Sequence, residues 1–138
     1  KQLDKAGSTV ERVGGDDAPT ASVELVRFSS GLFGWNLNEP GHGYTLARAD
    51  RPMDVVATTS LSTNGTWPAL LLTDSAGELP QVIEDYLLDV KPGYTSDPTS
   101  AIFSHVWIIG DESLISVDQQ ARVDDAVELA PVDTLSEG

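Results

Sequence analysis

His105-Val106-Trp107-Ile108-Ile109-Gly110-Asp111 is a short apolar run that stops at a glycine and then turns acidic. Its apolar residues are consecutive, and β-branched valine and isoleucine flank the tryptophan. A strand written this way reads as buried on both faces, as in the interior of a parallel sheet. A second run of the same kind, Pro68-Ala69-Leu70-Leu71-Leu72-Thr73-Asp74, lies upstream. Between the two, Leu79, Val82, Ile83, Tyr86, Leu87 and Val90 recur at three–four spacing, which predicts a helix over 79–90. Strand, helix, strand makes a right-handed crossover unit, with the two apolar strands expected side by side in one sheet.

Outward from this unit, Tyr44 to Ala49 reads as a further strand. Met53 to Leu61 reads as a helix ended by Asn64-Gly65, although Val55, Val56, Thr58 and Thr59 are poor helix formers. Pro19 and Thr20 suit a helix start, with Val23, Val26 and Phe28 as its apolar stripe and Gly31 and Gly34 beyond its end. Val10 to Val13 alternates and stops at Gly14-Gly15, as a short strand does at a turn. Downstream, Val117, Ala121, Val123 and Val127 mark a last amphipathic helix running to Leu129, after which Ala130 to Gly138 frays. Phe33 to Gly43 is a loop dense in breakers, and Tyr94 to Ser104 is a polar, proline-bearing insertion. The order β-α-β-α-β-α-β-α implies an α/β domain with a mostly parallel sheet. Residues 1–9 read as a lead-in from a preceding segment, 10–130 as a single module and 131–138 as a tail.

Bulk properties narrow the function classes. A chain of 138 residues with 40% hydrophobic residues is the size of one domain and can build an ordinary core. Lys and Arg total 8 against 22 Asp and Glu, for a net charge of −14, and the basic residues are scattered. Such a field repels nucleic acid and anionic membranes and suits a cation or a sugar better. No run approaches the ~18 apolar residues of a membrane span, so membrane insertion is not expected. The absence of cysteine excludes thiol catalysis, disulfides and cysteine-ligated metals. The chain begins at Lys1 rather than Met, as an excised or processed piece of something longer would.

In an open parallel sheet, ligands sit at the carboxyl ends of the strands. Those ends carry Gly14-Gly15-Asp16-Asp17, Ala49-Asp50, Thr73-Asp74-Ser75 and Gly110-Asp111-Glu112-Ser113. Converging carboxylates there could hold Mg²⁺ or Ca²⁺, and a hydrolase built on Asp74, Asp111 and Glu112 is one reading. The blander reading is that Asp, Ser and Gly cap helices and turn loops. No dinucleotide glycine fingerprint and no Gly-x-Ser-x-Gly elbow is present. His42 and His105 are more than sixty positions apart, and His105 reads as a structural residue opening a buried strand. Asn64-Gly65-Thr66 matches a glycosylation acceptor. Trp35, Tyr44, Trp67 and Tyr94 read as loop aromatics able to stack on sugar rings or to pack a core.

The linear order of motifs resembles the cell wall-binding repeat 2 family of Gram-positive surface and secreted proteins. The opening Arg-hydrophobic-small-Gly turn and helix start are matched by Arg12-Val13-Gly14-Gly15-Asp16-Asp17-Ala18-Pro19-Thr20-Ala21. The family's Asp-Ala-Leu segment is resembled by Asp54-Val55-Val56, and its Pro-hydrophobic-Leu-Leu-Thr strand by Pro68 to Thr73. Its leucine-rich helix is similar to Leu79 through Leu87, and its closing Ile-Ile-Gly-Gly strand to Ile108-Ile109-Gly110-Asp111 with Glu112 to Ser116 after it. The chain departs from the pattern where Ala18-Pro19 replaces an Arg-Tyr pair, at Asp111, and in two long insertions. The resemblance implies a Rossmann-like or Toprim-like three-layer α/β module. It further implies a non-catalytic role anchoring a secreted or surface protein to cell-wall polymer or glycan, with sister modules or self-association as further partners. A structural or oligomerisation module is the alternative. Candidate ligand-binding positions are Arg12, Asp17, Thr20, Asp54, Thr73, Asp74, Gly110, Asp111 and Glu112. No catalytic residue, resident metal or cofactor is expected.

Overall fold

The computed structural model describes residues 10–31, 33–63 and 67–132. The lead-in before Val10, the Asn64-Gly65-Thr66 segment and the tail beyond Val132 lie outside the described residues. The elements are α1 (Ala18–Arg27), β1 (Gly43–Arg48), α2 (Pro52–Thr63), β2 (Ala69–Thr73), α3 (Gln81–Asp89), β3 (Gly93–Tyr94), a 3₁₀ turn (Pro98–Ser100), β4 (His105–Ile109), α4 (Val117–Val127) and β5 (Ala130–Pro131). The main sheet is fully parallel in the order β2-β1-β4, with Leu46 opposite Leu71 on one side and Ile108 on the other. The fold is α/β with a mostly parallel sheet, as the sequence implies.

Two expectations about the main sheet are corrected. The apolar strands share one parallel sheet but are not neighbours, because β1 lies between them. Tyr44, Thr45, Leu46 and Ala47 are all buried, while β4, apolar from Val106 to Ile109, is an edge strand on which His105 and Trp107 are exposed. Thr45 tolerates the centre because its hydroxyl donates to the Ala69 carbonyl at 3.4 Å, so a polar residue is buried without an orphaned group. The other correction is at Val10 to Val13, which form no strand: alternation needs a partner ladder, and none pairs with them among the described residues.

Helices cover both faces of the sheet. Tyr44, Leu46, Ala69 and Leu71 look toward α1, α3 and α4, and join Val23, Val26, Ile83, Tyr86, Leu87, Val123 and Ala126 in one core. Thr45 and Ala47 look the other way, where α2 packs on β1 and β4. Opposite faces follow from handedness: β1 to β2 and β2 to β4 move in opposite directions, so right-handed crossovers put α2 and α3 on opposite sides.

Local chemistry explains the helices. Asp17 caps α1 by accepting from the Thr20 N–H at 2.8 Å, with Pro19 in the first turn. Ser116 caps α4 by accepting from the Gln119 N–H at 3.2 Å. In α2, the hydroxyls of Thr58, Thr59 and Ser60 donate back to carbonyls three residues earlier, so its poor helix formers occupy their own polar groups. The segment from Ala130 does not simply fray. Ala130–Pro131 pairs in parallel with Gly93–Tyr94, and the Val132 N–H donates to the Tyr94 carbonyl at 2.8 Å. Gly93 permits this approach, since a Cβ there would lie 2.5 Å from Val132 Cγ2.

Candidate functional site

At the carboxyl ends of the three strands, Asp50 and Asp111 are each taken up by a near neighbour in sequence. Asp50 follows β1 and takes two hydrogen bonds from Arg48, at 3.0 and 2.7 Å, which holds its carboxyl below the ordinary aspartate range. Asp54, in the first turn of α2, accepts from Arg51 at 3.1 Å. Asp111 Oδ1 accepts from the Ser113 hydroxyl at 2.6 Å and its N–H at 2.9 Å, and the hydroxyl is the main cause of its lowered pKa. Thr73 is fully buried, donating to the Ser75 carbonyl at 3.0 Å and accepting from Gln119 Nε2 at 3.1 Å. Asp74 and Glu112 are exposed, and Gly110 ends β4 with φ of 136°.

Gly110, Asp111 and Glu112 line one groove of about 520 Å³ with Ile108, Ser113, Ile115 and Gln120. Asp74 and Asp54 do not line it. Asp17 and Thr20 serve the α1 cap, and Arg12 is an exposed residue of the coil before α1. Among the described residues, no three His, Cys, Asp or Glu side chains come together to hold a metal ion. The strand ends therefore assemble a set of helix and turn caps rather than one carboxylate cluster.

A different concavity forms at the amino end of β2. Trp67 lies two residues before that strand, Leu25 lies near the end of α1, and Phe33, Gly34 and Trp35 form the loop after it. These five residues enclose about 480 Å³. Trp35, Trp67 and Phe33 remain 39%, 65% and 71% exposed. Three large aromatic rings left open to water around one hollow are unusual for a surface, where single scattered apolar residues are the norm.

The loop carrying Trp35 is tied down on every side. Ser30 and Phe33 exchange backbone hydrogen bonds at 2.7 and 3.2 Å, and Phe33 meets Phe28 edge-on at 6.2 Å. Gly34 has φ of 122°, and a Cβ there would sit 2.2 Å from the Phe28 carbonyl oxygen, so only glycine lets the chain pass between the two aromatics. The Asn36 N–H donates to the Phe28 carbonyl and the Leu37 N–H to the Val26 carbonyl. Asn38 donates to the Arg27 carbonyl at 3.3 Å and accepts from the Arg27 guanidinium at 3.1 Å. The buried Tyr86 hydroxyl reaches the Leu37 carbonyl at 2.9 Å. Trp67 itself holds φ of 45°, a region that costs a bulky residue energy and is met where surroundings or function enforce it.

Of the four aromatics read from the sequence as sugar-stacking candidates, Trp35 and Trp67 converge here. Tyr44 is corrected: it is fully buried against Tyr86, ring centroids 5.7 Å apart and perpendicular, because it sits on the central strand. Tyr94 is half-buried in β3, away from the hollow. His105 is likewise corrected, from a buried strand opening to an exposed edge position. Sequence reasoning missed Leu25 and Phe33. The only sequence trace of the site is the alternation Phe33-Gly34-Trp35, which does not say that Trp67 folds against it. Comparison with protein-family models, with curated proteins and with solved structures returned no match.

Proposed function

We propose that this domain is a non-catalytic binding module that holds a secreted or surface protein at the cell envelope, and that its ligand is a glycan seated on Trp35 and Trp67. The observation that carries the reading is the pair of exposed indoles, with Phe33 and Leu25, around one hollow of about 480 Å³ on an anchored loop. A pyranose ring has an apolar face of C–H bonds and a polar rim of hydroxyls. An indole desolvates the first while leaving the second wet, which suits a half-open aromatic surface. Rigid aromatics lose little conformational freedom on binding, so a loop fixed by Gly34, Leu37 and Asn38 favours affinity. The net charge of −14 favours neutral sugar over an anionic polymer. The order of motifs that resembles the cell wall-binding repeat 2 family supports the same role.

The test is retention on purified sacculi, beside sacculi stripped of secondary polymers, for the native chain and for Trp35→Ala, Trp67→Ala and the double variant. Each truncation is expected to weaken retention about tenfold, the effect of losing ~1.4 kcal/mol at a buried aromatic contact. Equal binding by the double variant, with unchanged circular dichroism, would overturn the assignment of the site. Failure of the native chain to bind either preparation would overturn the envelope role.

A further inference from the structure

The two edges of the main sheet are finished differently. The His105 N–H donates to the His42 carbonyl at 3.1 Å, which fixes the phase of β4: His105, Trp107 and Ile109 turn their backbone groups toward β1. Val106 and Ile108 therefore direct their N–H and C=O groups away from the sheet, and no described residue pairs with them. At the opposite edge the Thr73 carbonyl faces β1, accepting from the Ala49 N–H, so the Leu72 N–H points outward. There the Ser22 hydroxyl of α1 accepts it at 3.0 Å. One edge is covered by a helix, and the other is bare among the described residues.

The bare edge also lacks the usual defences against pairing. β4 holds no Lys, no Pro and no carboxylate, and Trp107 on it is 36% exposed. Phe103, just before the strand, is 52% exposed.

We propose that two copies of the domain join edge to edge through β4, antiparallel about a two-fold axis at Trp107, making one sheet from two. The strand is self-complementary in this register. Val106 of one copy lies opposite Ile108 of the other, and each such pair exchanges both of its outward hydrogen bonds, so all four groups in each copy are satisfied. Trp107 faces Trp107 of the second copy in the closer, non-hydrogen-bonded position, with Cα atoms about 4.5 Å apart. The antiparallel sense also sets Asp111 and Glu112 of one copy beside Phe103 and Ile102 of the other, so the acidic strand exits do not meet. A five-residue strand is only about 17 Å long, and the contact falls at the small end of interface sizes. The dimer is therefore weak and concentration-dependent. Because each copy carries −14, salt strengthens it by screening the repulsion, whereas a basic partner strand on the same edge would be weakened by salt.

The inference goes beyond the proposed glycan site and is tested apart from it. Sedimentation velocity over roughly 0.01–1 mM is expected to show monomer passing to dimer and no further, at lower concentration in roughly 500 mM than in 50 mM NaCl. Trp107→Lys leaves every backbone bond in place, and Ile108→Pro deletes an outward N–H while also trading a side chain packed against the core, so its fold is checked by circular dichroism; each should shift the transition at least tenfold upward. Trp35→Ala/Trp67→Ala should leave it unchanged. The chain has no cysteine, so Trp107→Cys gives a clean trap: diamide oxidation should link two copies, the Cα spacing being within disulfide range, while Val56→Cys on exposed α2 should stay unlinked. A chain that stays monomeric throughout overturns the proposal. So does a dimer indifferent to Trp107→Lys, assembly beyond two copies, or equal cross-linking at positions 107 and 56.

Discussion

Replacing Tyr86 by phenylalanine should cost far more than the same change at Tyr44, although the two hydroxyls bond each other. Both rings are fully buried, with hydroxyl oxygens 3.0 Å apart, and Tyr86 also reaches the Leu37 carbonyl at 2.9 Å. A phenol has one proton to give. The Leu37 carbonyl can only accept, so Tyr86 donates to it and Tyr44 donates to Tyr86. Burial raises both phenol pKa values, which keeps both protons in place through neutral pH. Tyr86→Phe then orphans two groups at once, the Leu37 carbonyl and the Tyr44 hydroxyl. At about 1–3 kcal/mol for each unsatisfied buried group, the cost is about 2–6 kcal/mol. Tyr44→Phe removes a donor from a lone pair that Tyr86 can leave empty, and should cost about 0.5–1.5 kcal/mol. The double variant orphans only the Leu37 carbonyl, so it should be less destabilised than the sum of the singles by about 1.5–4.5 kcal/mol. The edge-on ring contact and the Arg27 guanidinium 4.7 Å from the Tyr86 ring centroid do not need the hydroxyls and persist in all three. Urea unfolding followed by circular dichroism, with the m-value held constant as a check on two-state behaviour, measures each term. Equal costs at the two positions, or additive singles, would refute the direction of this hydrogen-bond chain.

Three further outcomes follow from other contacts. Asp17 is held below its ordinary pKa chiefly by the Thr20 hydrogen bonds, so its cap stabilises the fold above the unfolded value of 3.8 and is lost as pH falls through the lower folded value; Asp17→Ala should flatten the acid limb of a melting-temperature profile between about pH 6 and 2. Gly34→Ala forces a Cβ to within 2.2 Å of the Phe28 carbonyl oxygen at a φ of 122°, and should lower stability by about 1–3 kcal/mol in the same urea assay while weakening retention on sacculi. Gln119 is fully buried and gives its amide N–H groups to Thr73 Oγ1 and the carbonyls of Ser75 and Glu78; Gln119→Leu takes the side-chain donor from the Glu78 carbonyl, while the Ser75 carbonyl keeps the Thr73 hydroxyl, and should cost about 1–3 kcal/mol in thermal or urea unfolding.

The helices and the parallel character of the sheet were legible because both rest on short-range information. Leu79 to Val90 repeats at helical spacing, Ser116 and Asp17 are capping residues, and two apolar strands separated by a helix almost oblige a parallel crossover. The acidic strand exits were legible as positions but not as a site, since whether carboxylates converge depends on neighbours such as Arg48, Arg51 and Ser113, which take up Asp50, Asp54 and Asp111 locally.

Strand order was not legible. Tyr-Thr-Leu-Ala reads as half-polar, yet it became the central strand because Thr45 found a carbonyl on β2 and α2 closed over Ala47. His-Val-Trp-Ile-Ile reads as a strand buried on both sides, yet it became an edge. Local pattern reports how apolar a strand is. Which strand lies beside it is settled by contacts tens of residues away, and so are the edge left open at β4 and the meeting of Trp35 with Trp67.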